Sequence, residues 1–420
     1  MPPTKSFNIS RFARTTEEIY SLREFQEKLD QGRPLRIKYG VDVTAPFLHI
    51  GHAVNLWMMR DLQEHGHRVV FLIGDFTTRI GDPTDKNQTR GKIPTEEIEV
   101  NADRYIEQIS RILLTDSEVF EVRRNSEWYS GMSLEQFLDL LTLVTHSKLI
   151  QRDMFQKRIS AQAEIYTHEL LYPVLQGYDS YALESDITIV GTDQLFNELM
   201  GRFYQERLGQ APQIVLTTKI TPGIDGREKQ SKSLGNYIAL GDTPRDKFGK
   251  AMSVPDHLTR SFLEVYTLVP MGEIEEVFEA VDRSALNPME AKRRMARALV
   301  ERYHGAGAAQ TEDEWFRKVF SEAQQPDTMP SVRIAPGESV LQVLGRCLPS
   351  KSRSELRRLV AAGAVRLNDK KVTDWESSLG LEDKSGVLRV GKREWFRLDS
   401  IKGDAPLPSS GRDGEPSVDS

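Results

Sequence analysis

Residues 35–74, LRIKYGVDVTAPFLHIGHAVNLWMMRDLQEHGHRVVFLIG, carry the pattern from which the fold is read. A short apolar run at 35–40 is followed by a helical stretch at 52–64, in which Val54, Trp57, Met58 and Leu62 recur at helical spacing. Gly66 closes that helix and a second apolar run follows at 69–74. A strand, helix, strand unit of this kind predicts a parallel α/β domain. Further strands are expected at 186–190 and 213–217, and amphipathic helices at 94–114, 133–150 and 167–183.

A chain of 420 residues, 39% of them hydrophobic, buries at least one large core and divides into two or three domains. After residue 241 strands give way to helical periodicity at 245–252, 257–268 and 288–304, so 241–322 is expected to be helical. The Gln- and Pro-rich stretch 323–331 reads as a linker, 332–400 as a third domain, and 401–420 has the composition of a disordered tail. The net charge of −6 gives no general reason to expect nucleic-acid binding. Residues 332–400, however, hold 14 Lys and Arg against 9 Asp and Glu, so the positive charge is local. The lone Cys347 excludes a disulfide framework and a cysteine-rich zinc module, and the eight histidines are scattered, so no structural metal is expected. The start lacks a signal-like apolar stretch and no apolar run is long enough to cross a bilayer, so the expected location is cytoplasmic and no membrane partner is expected.

Two constellations carry chemistry. The first, from Asp42 through Thr44 to His49-Ile-Gly51-His52, lies between the first strand and its helix. A helix N-terminus offers unpaired N–H groups and a positive dipole end, Gly51 permits close approach, and the two histidines can donate to phosphoryl oxygens. Taken alone, it is equally a helix start with surface histidines. The second, Lys229-Gln-Ser-Lys232-Ser233, lies in a Gly- and charge-rich loop beyond 213–217. Mobile lysines suit a departing pyrophosphate, because they add charge stabilisation without trapping the product. Taken alone, it is a solvated basic loop.

Together, and in this order, the two segments resemble the HIGH and KMSKS motifs of class I aminoacyl-tRNA synthetases. Three further segments resemble the tyrosyl-tRNA synthetases of the bacterial type: residues 74–90 around Gly81-Asp82-Pro83, then Tyr172-Pro-Val-Leu-Gln176-Gly-Tyr-Asp179, and Gly191-Thr-Asp193-Gln194. Residues 350–374 resemble a C-terminal S4 RNA-binding domain. The resemblance implies a Rossmann-like parallel-sheet catalytic domain at 1–240 with a dimerisation insertion near 128–165. It also implies a helical, anticodon-side domain at 241–322 and a small α+β S4-like domain at 332–400.

By the same resemblance Asp82, Tyr172 and Gln176 meet the tyrosine ammonium, Asp179 meets the phenol and Gln194 lies near the carboxylate. Asp42, Gly51, Gly191 and Asp193 lie on the ATP side, while Thr44, His49, His52, Lys86, Arg90, Lys229, Lys232 and Ser233 surround the phosphates. Lys351, Arg353, Arg357 and Arg358 form a basic row for RNA phosphates. The implied activity is that of a tyrosine–tRNA ligase acting on tyrosine, ATP with Mg2+, and tRNA(Tyr), as a homodimer. The first step needs no enzyme nucleophile, since the tyrosine carboxylate is already ionised.

Several positions depart from the family pattern. Val43 stands for a proline, Thr78, Asp85 and Val190 for glycines, and Gln230 for a methionine, while Lys38 stands where one branch has a hydroxyl-binding tyrosine. Two other readings share these residues: a synthetase paralogue activating a tyrosine analogue, and a catalytically silent RNA-binding paralogue. The retained Tyr172 and Asp179 favour tyrosine, and the intact His49, His52, Lys229 and Lys232 favour catalysis.

Overall fold

The computed structural model describes residues 6–43, 48–81, 93–231, 234–321, 329–335, 337–349, 351–378, 385–391 and 394–400. The chain divides into two units, Met1–Gln310 and Thr311–Ser420.

In the first unit, β1 (Thr16–Tyr20), β2 (Arg36–Val41), β3 (Arg68–Ile73), β4 (Phe120–Arg124), β5 (Ile187–Gly191) and β6 (Ile214–Thr218) form one sheet in the order β1-β6-β5-β2-β3-β4. β2 to β6 run parallel to their neighbours and β1 pairs antiparallel with β6. β2 aligns Arg36 with Arg68 and Val41 with Ile73 on one side, and Ile37 with Ile187 on the other. Val69, Val70, Phe71 and Ile73 are buried, the continuous apolar run that a parallel strand covered on both faces requires.

The strands expected at 35–40, 69–74, 186–190 and 213–217 correspond to β2, β3, β5 and β6. β1 and β4 have no counterpart in the sequence reading. They are the two edges of the sheet, where Glu17, Glu18 and Arg123 break the apolar pattern.

The Ile50–Glu64 helix follows β2 as expected. The single helix expected at 133–150 is instead two, Leu134–Thr142 and His146–Leu149. Thr145 restarts it as a new N-cap, its hydroxyl accepting from the Lys148 amide. Beyond β6 come Pro244–Ser253, Thr259–Tyr266, Met271–Asp282 and Pro288–His304, packed through Phe248, Phe262, Leu263, Met295 and Leu299. Arg14 joins the N-terminal segment to this region by donating to the carbonyls of Leu263, Glu264 and Val269 at 3.0, 2.7 and 3.0 Å, which satisfies carbonyls left open at a helix C-terminus.

Two helices that carry site residues, Thr167–Ala182 and Leu195–Arg207, meet closely because Gly177 has no side chain. A Cβ there would lie 2.9 Å from the Tyr204 ring and 3.0 Å from the Met200 carbonyl oxygen. Leu140, Leu149 and Val174 share a buried cluster with Met200 and Tyr204, so part of the 128–165 segment belongs to this packing.

In the second unit, β7 (Ser331–Ile334), β8 (Val365–Leu367), β9 (Lys370–Lys371), β10 (Ser385–Val390) and β11 (Glu394–Ser400) lie in the order β7-β11-β10-β8-β9. Its helices, Val340–Cys347 and Arg353–Ala361, open on capping boxes at Ser339/Gln342 and Ser352/Glu355. Val343, Leu344, Leu356 and Val360 pack with Leu388, Phe396 and Leu398 to form the core. Lys351, Arg353, Arg357 and Arg358 remain exposed.

Candidate active site

The helix after β2 and the helix after β5 leave the sheet from neighbouring strands whose chain order diverges, and crevices at the carboxyl ends of such strands are where α/β sheets bind ligands. A cavity of about 870 Å³ opens there. It takes lining from the end of β2, the start of the Ile50–Glu64 helix, the end of β5, the Thr167–Ala182 helix and the segment around Lys229. Among the described candidates Asp42, His49, Gly51, His52, Tyr172, Gln176, Asp179, Gly191, Asp193, Gln194 and Lys229 all line it. Thr44, Asp82, Lys86, Arg90, Lys232 and Ser233, with Asp85, lie outside the described residues.

His49 caps the helix. The Gly51 amide donates to His49 Nδ1 at 3.2 Å and the His49 amide donates to His52 Nδ1 at 3.3 Å, with the rings 3.9 Å apart. With Nδ1 accepting in both, each neutral ring carries its proton on Nε2 and is a donor there. Gly51 is required by this arrangement, since a Cβ would lie 2.9 Å from the His49 ring. The two motif regions are physically joined: the Ile50 amide donates to the Ile238 carbonyl at 3.0 Å and the Leu240 amide to the Leu48 carbonyl at 2.9 Å. Lys229 Nζ lies 3.3 Å from Asp193 Oδ2 across the cavity mouth.

A polar chain runs along one wall. Tyr172 Oη donates to Asp42 Oδ2 at 3.0 Å and Thr77 Oγ1 donates to Asp42 Oδ1 at 2.8 Å. Asn125 Nδ2 donates to Thr77 Oγ1 at 3.0 Å and reaches Asp179 Oδ2 at 3.4 Å. Trp128 Nε1 donates to Asp179 Oδ1 at 3.0 Å. Burial pushes the Asp179 carboxyl up to about 7, against the opposing pull of Lys38 and of these donors.

A second network adjoins it. Gln176 Nε2 donates to Glu198 Oε1 at 2.8 Å, and Asn197 Nδ2 donates to Gln176 Oε1 at 2.8 Å and Gln194 Oε1 at 3.0 Å. Glu198 in turn accepts from Gln213 Nε2 at 2.9 Å and pairs with Lys38 Nζ at 2.8 Å. At the signature loop, Gln230 Nε2 donates to Tyr266 Oη at 2.8 Å, and Tyr266 Oη bonds Thr221 Oγ1 at 2.5 Å.

Sequence reasoning missed Asn125, Trp128, Asn197 and Glu198. The first two follow the unrecognised β4, and the other two sit among ordinary helical residues just past Gln194. Their signal was the polar side chain at a position where helix packing calls for an apolar one: Asn197 and Glu198 are buried. Among the described residues, no group of three or more His, Cys, Asp or Glu side chains is placed to hold a metal ion, and no helix is long and apolar enough to cross a membrane.

The arrangement combines proton donors at a helix N-terminus and the Lys229 ammonium with the buried Asp179 carboxyl. It suits a ligand with an anionic group at one end and a hydrogen-bond donor at the other. Residues 30–321 match the family of class I tRNA synthetases (W and Y). The chain is 40% identical over 390 residues to the tyrosine–tRNA ligase of Moorella thermoacetica, covering 92% of this chain and 94% of that protein. It is 42% identical over 388 residues to the tyrosine–tRNA ligase of Geobacter sulfurreducens, covering 91% of this chain and 96% of that protein. A C-terminally truncated mitochondrial tyrosyl-tRNA synthetase of Aspergillus nidulans shares the fold with a TM-score of 0.59, over 73% of this chain and 92% of that chain at 21% identity. Matched along most of its length by sequence and by fold, the chain belongs to the class I tRNA synthetases of the tryptophan and tyrosine group, in its tyrosyl branch.

Proposed function

We propose that this chain is a tyrosine–tRNA ligase, which joins tyrosine to AMP and then passes the tyrosyl group to tRNA(Tyr). The observation that carries the reading is the convergence on one cavity of His49, His52 and Lys229 with Tyr172, Gln176 and Asp179. In the first step a tyrosine carboxylate oxygen attacks the α-phosphorus of ATP, the bond from that phosphorus to the α,β-bridging oxygen breaks, and pyrophosphate leaves with the bonding pair. His49 and His52 donate from Nε2 and Lys229 supplies positive charge as negative charge develops, so catalysis is positioning plus electrostatics. Mg2+ bound with ATP would add positive charge at the phosphates as pyrophosphate departs. In the second step a hydroxyl of the terminal tRNA ribose attacks the tyrosyl carbonyl and AMP departs.

Asp179 accepts the phenolic hydroxyl, a donor that phenylalanine lacks, and Tyr172 and Gln176 meet the amino group. The exposed row Lys351, Arg353, Arg357 and Arg358 supports tRNA phosphate binding by an S4-like second unit. The buried thiol of Cys347 suits a reducing cytoplasm. A homodimer through the 128–165 segment is supported by Leu134 and Leu138, which are exposed at 72% and 51%, whereas Leu149 and Phe155 are buried within the chain itself. Charging tRNA with labelled tyrosine tests the reading: formation of tyrosyl-tRNA that requires ATP supports it, and adenylate formation without any charging would refute the second step.

A further inference from the structure

Lys38 and Glu198 are unusual among the residues lining the cavity. Both are charged, both are 2% exposed, and they face each other at 2.8 Å. Lys38 lies on β2 and also donates to Ser180 Oγ at 2.7 Å, beside Asp179 in the chain. Glu198 is saturated by donors: Lys38 and Gln213 on Oε2, and Gln176 on Oε1. Asp179 is held by Trp128 and Asn125, and the Tyr129 hydroxyl beside it donates to the Leu175 carbonyl at 2.6 Å.

The charged and titratable groups facing Asp179 are thus Lys38 from β2, Glu198 from the Leu195–Arg207 helix through Lys38, and Tyr129 from the short Ser126–Tyr129 helix. Asp42 is connected to it through Asn125 and Thr77. The one buried cation pairs directly with Glu198 and reaches Asp179 only at longer range, through the field of a charge seated on the neighbouring Ser180 hydroxyl. A buried charge of this kind is stable only when enough donors surround it, and Asp179 has the weaker share.

We propose that Lys38, clamped by Glu198, is a specificity-determining positioning residue whose charge holds Asp179 as the carboxylate that takes the substrate's phenolic hydroxyl. The proposal rests on Asp179 being the phenol acceptor and deepens that reading. Discrimination then belongs to a cluster of three buried ionisable groups, to which the phenol O–H adds a donor that phenylalanine lacks. Burial already brings free Asp179 to about 7, so near neutral pH part of the population carries a proton that must leave when tyrosine binds.

The test is tyrosine affinity by calorimetry from pH 6 to 9 on the full chain and on three variants. In the unmodified protein affinity falls on the acid side through a limb near pH 7, with proton release on tyrosine binding at pH 6.5. Lys38→Gln moves the limb upward by roughly one pKa unit and weakens tyrosine binding at pH 7 about fivefold, as the ionised fraction of Asp179 falls from about one half to about one tenth. Glu198→Gln leaves Lys38 to Asp179 alone and moves the limb downward. ATP affinity stays within about twofold in both. Opposite displacements distinguish charge from a general loosening of the pocket, which would shift neither limb. If Asp179→Asn abolishes the limb while Lys38→Gln and Glu198→Gln leave it in place, or move it the same way, Lys38 does not have this role. If Asp179→Asn keeps both the limb and the preference for tyrosine over phenylalanine, the assignment of the phenol to Asp179 is itself wrong.

Discussion

The Val43 amide donates to Thr78 Oγ1 at 3.2 Å, and both residues are buried. These are two of the positions at which the sequence resemblance implies a proline and a glycine instead. A proline brings no N–H and a glycine no hydroxyl, so each replacement supplies what the other needs. Two changes that look independent in the sequence are one hydrogen bond in the fold.

Thr78→Val is therefore expected to leave the Val43 N–H buried and unpaired, at a cost of about 1–3 kcal/mol in urea denaturation. In a Val43→Pro background the same substitution should cost less, because the donor has already gone. Equal costs in the two backgrounds, measured as a double-mutant cycle, would show that the pair is not coupled.

Tyr266 ties the signature loop to the helical region through Gln230 and Thr221. Tyr266→Phe removes both bonds and leaves Gln230 Nε2 buried without its acceptor. The expected outcome is a roughly tenfold fall in the rate of adenylate formation, about 1.4 kcal/mol in the barrier, with tyrosine affinity in the absence of ATP unchanged. Stopped-flow measurement of adenylate formation checks this, and an unaltered rate would dissociate the bond from loop positioning.

Gly177→Ala should force apart the helices that carry Gln176 and Glu198, since a Cβ meets the Met200 carbonyl oxygen at 3.0 Å and the Tyr204 ring at 2.9 Å. Overpacking of this kind costs about 1–3 kcal/mol. Thermal denaturation should register the loss, together with a higher KM for tyrosine and little change in KM for ATP.

How much of this was readable beforehand depended on burial and on distance along the chain. β2 and β3 were legible because parallel strands covered on both faces are continuous apolar runs. β1 and β4, at the edges, mix Glu and Arg into their runs and gave no such signal, and with β4 went Asn125 and Trp128, the donors to Asp179. His49, His52 and Lys229 were found as local patterns, whereas the bonds joining residues 48–50 to 238–240 are long-range backbone contacts with no side-chain signature. Lys38 was singled out as a replacement, but its partner Glu198 sits in a helix whose sequence reads as ordinary.

Arg357→Ala with Arg358→Ala, both exposed, should weaken tRNA binding and reduce the salt dependence of that binding by about two phosphate contacts. Tyrosine-dependent pyrophosphate exchange should be unaffected. Filter binding across a salt series, run beside the exchange assay, separates the two; an unchanged salt slope would remove these arginines from the RNA surface.

The central claim is that the cavity beyond β2 and β5 activates tyrosine with ATP and recognises it through its phenol. ATP–pyrophosphate exchange driven by tyrosine or by phenylalanine at equal concentration tests it most directly. Tyrosine should drive exchange and phenylalanine should be poorer by on the order of a hundredfold, the effect of leaving a buried acceptor unpaired. Equal exchange with both amino acids, or none with tyrosine, would contradict the account.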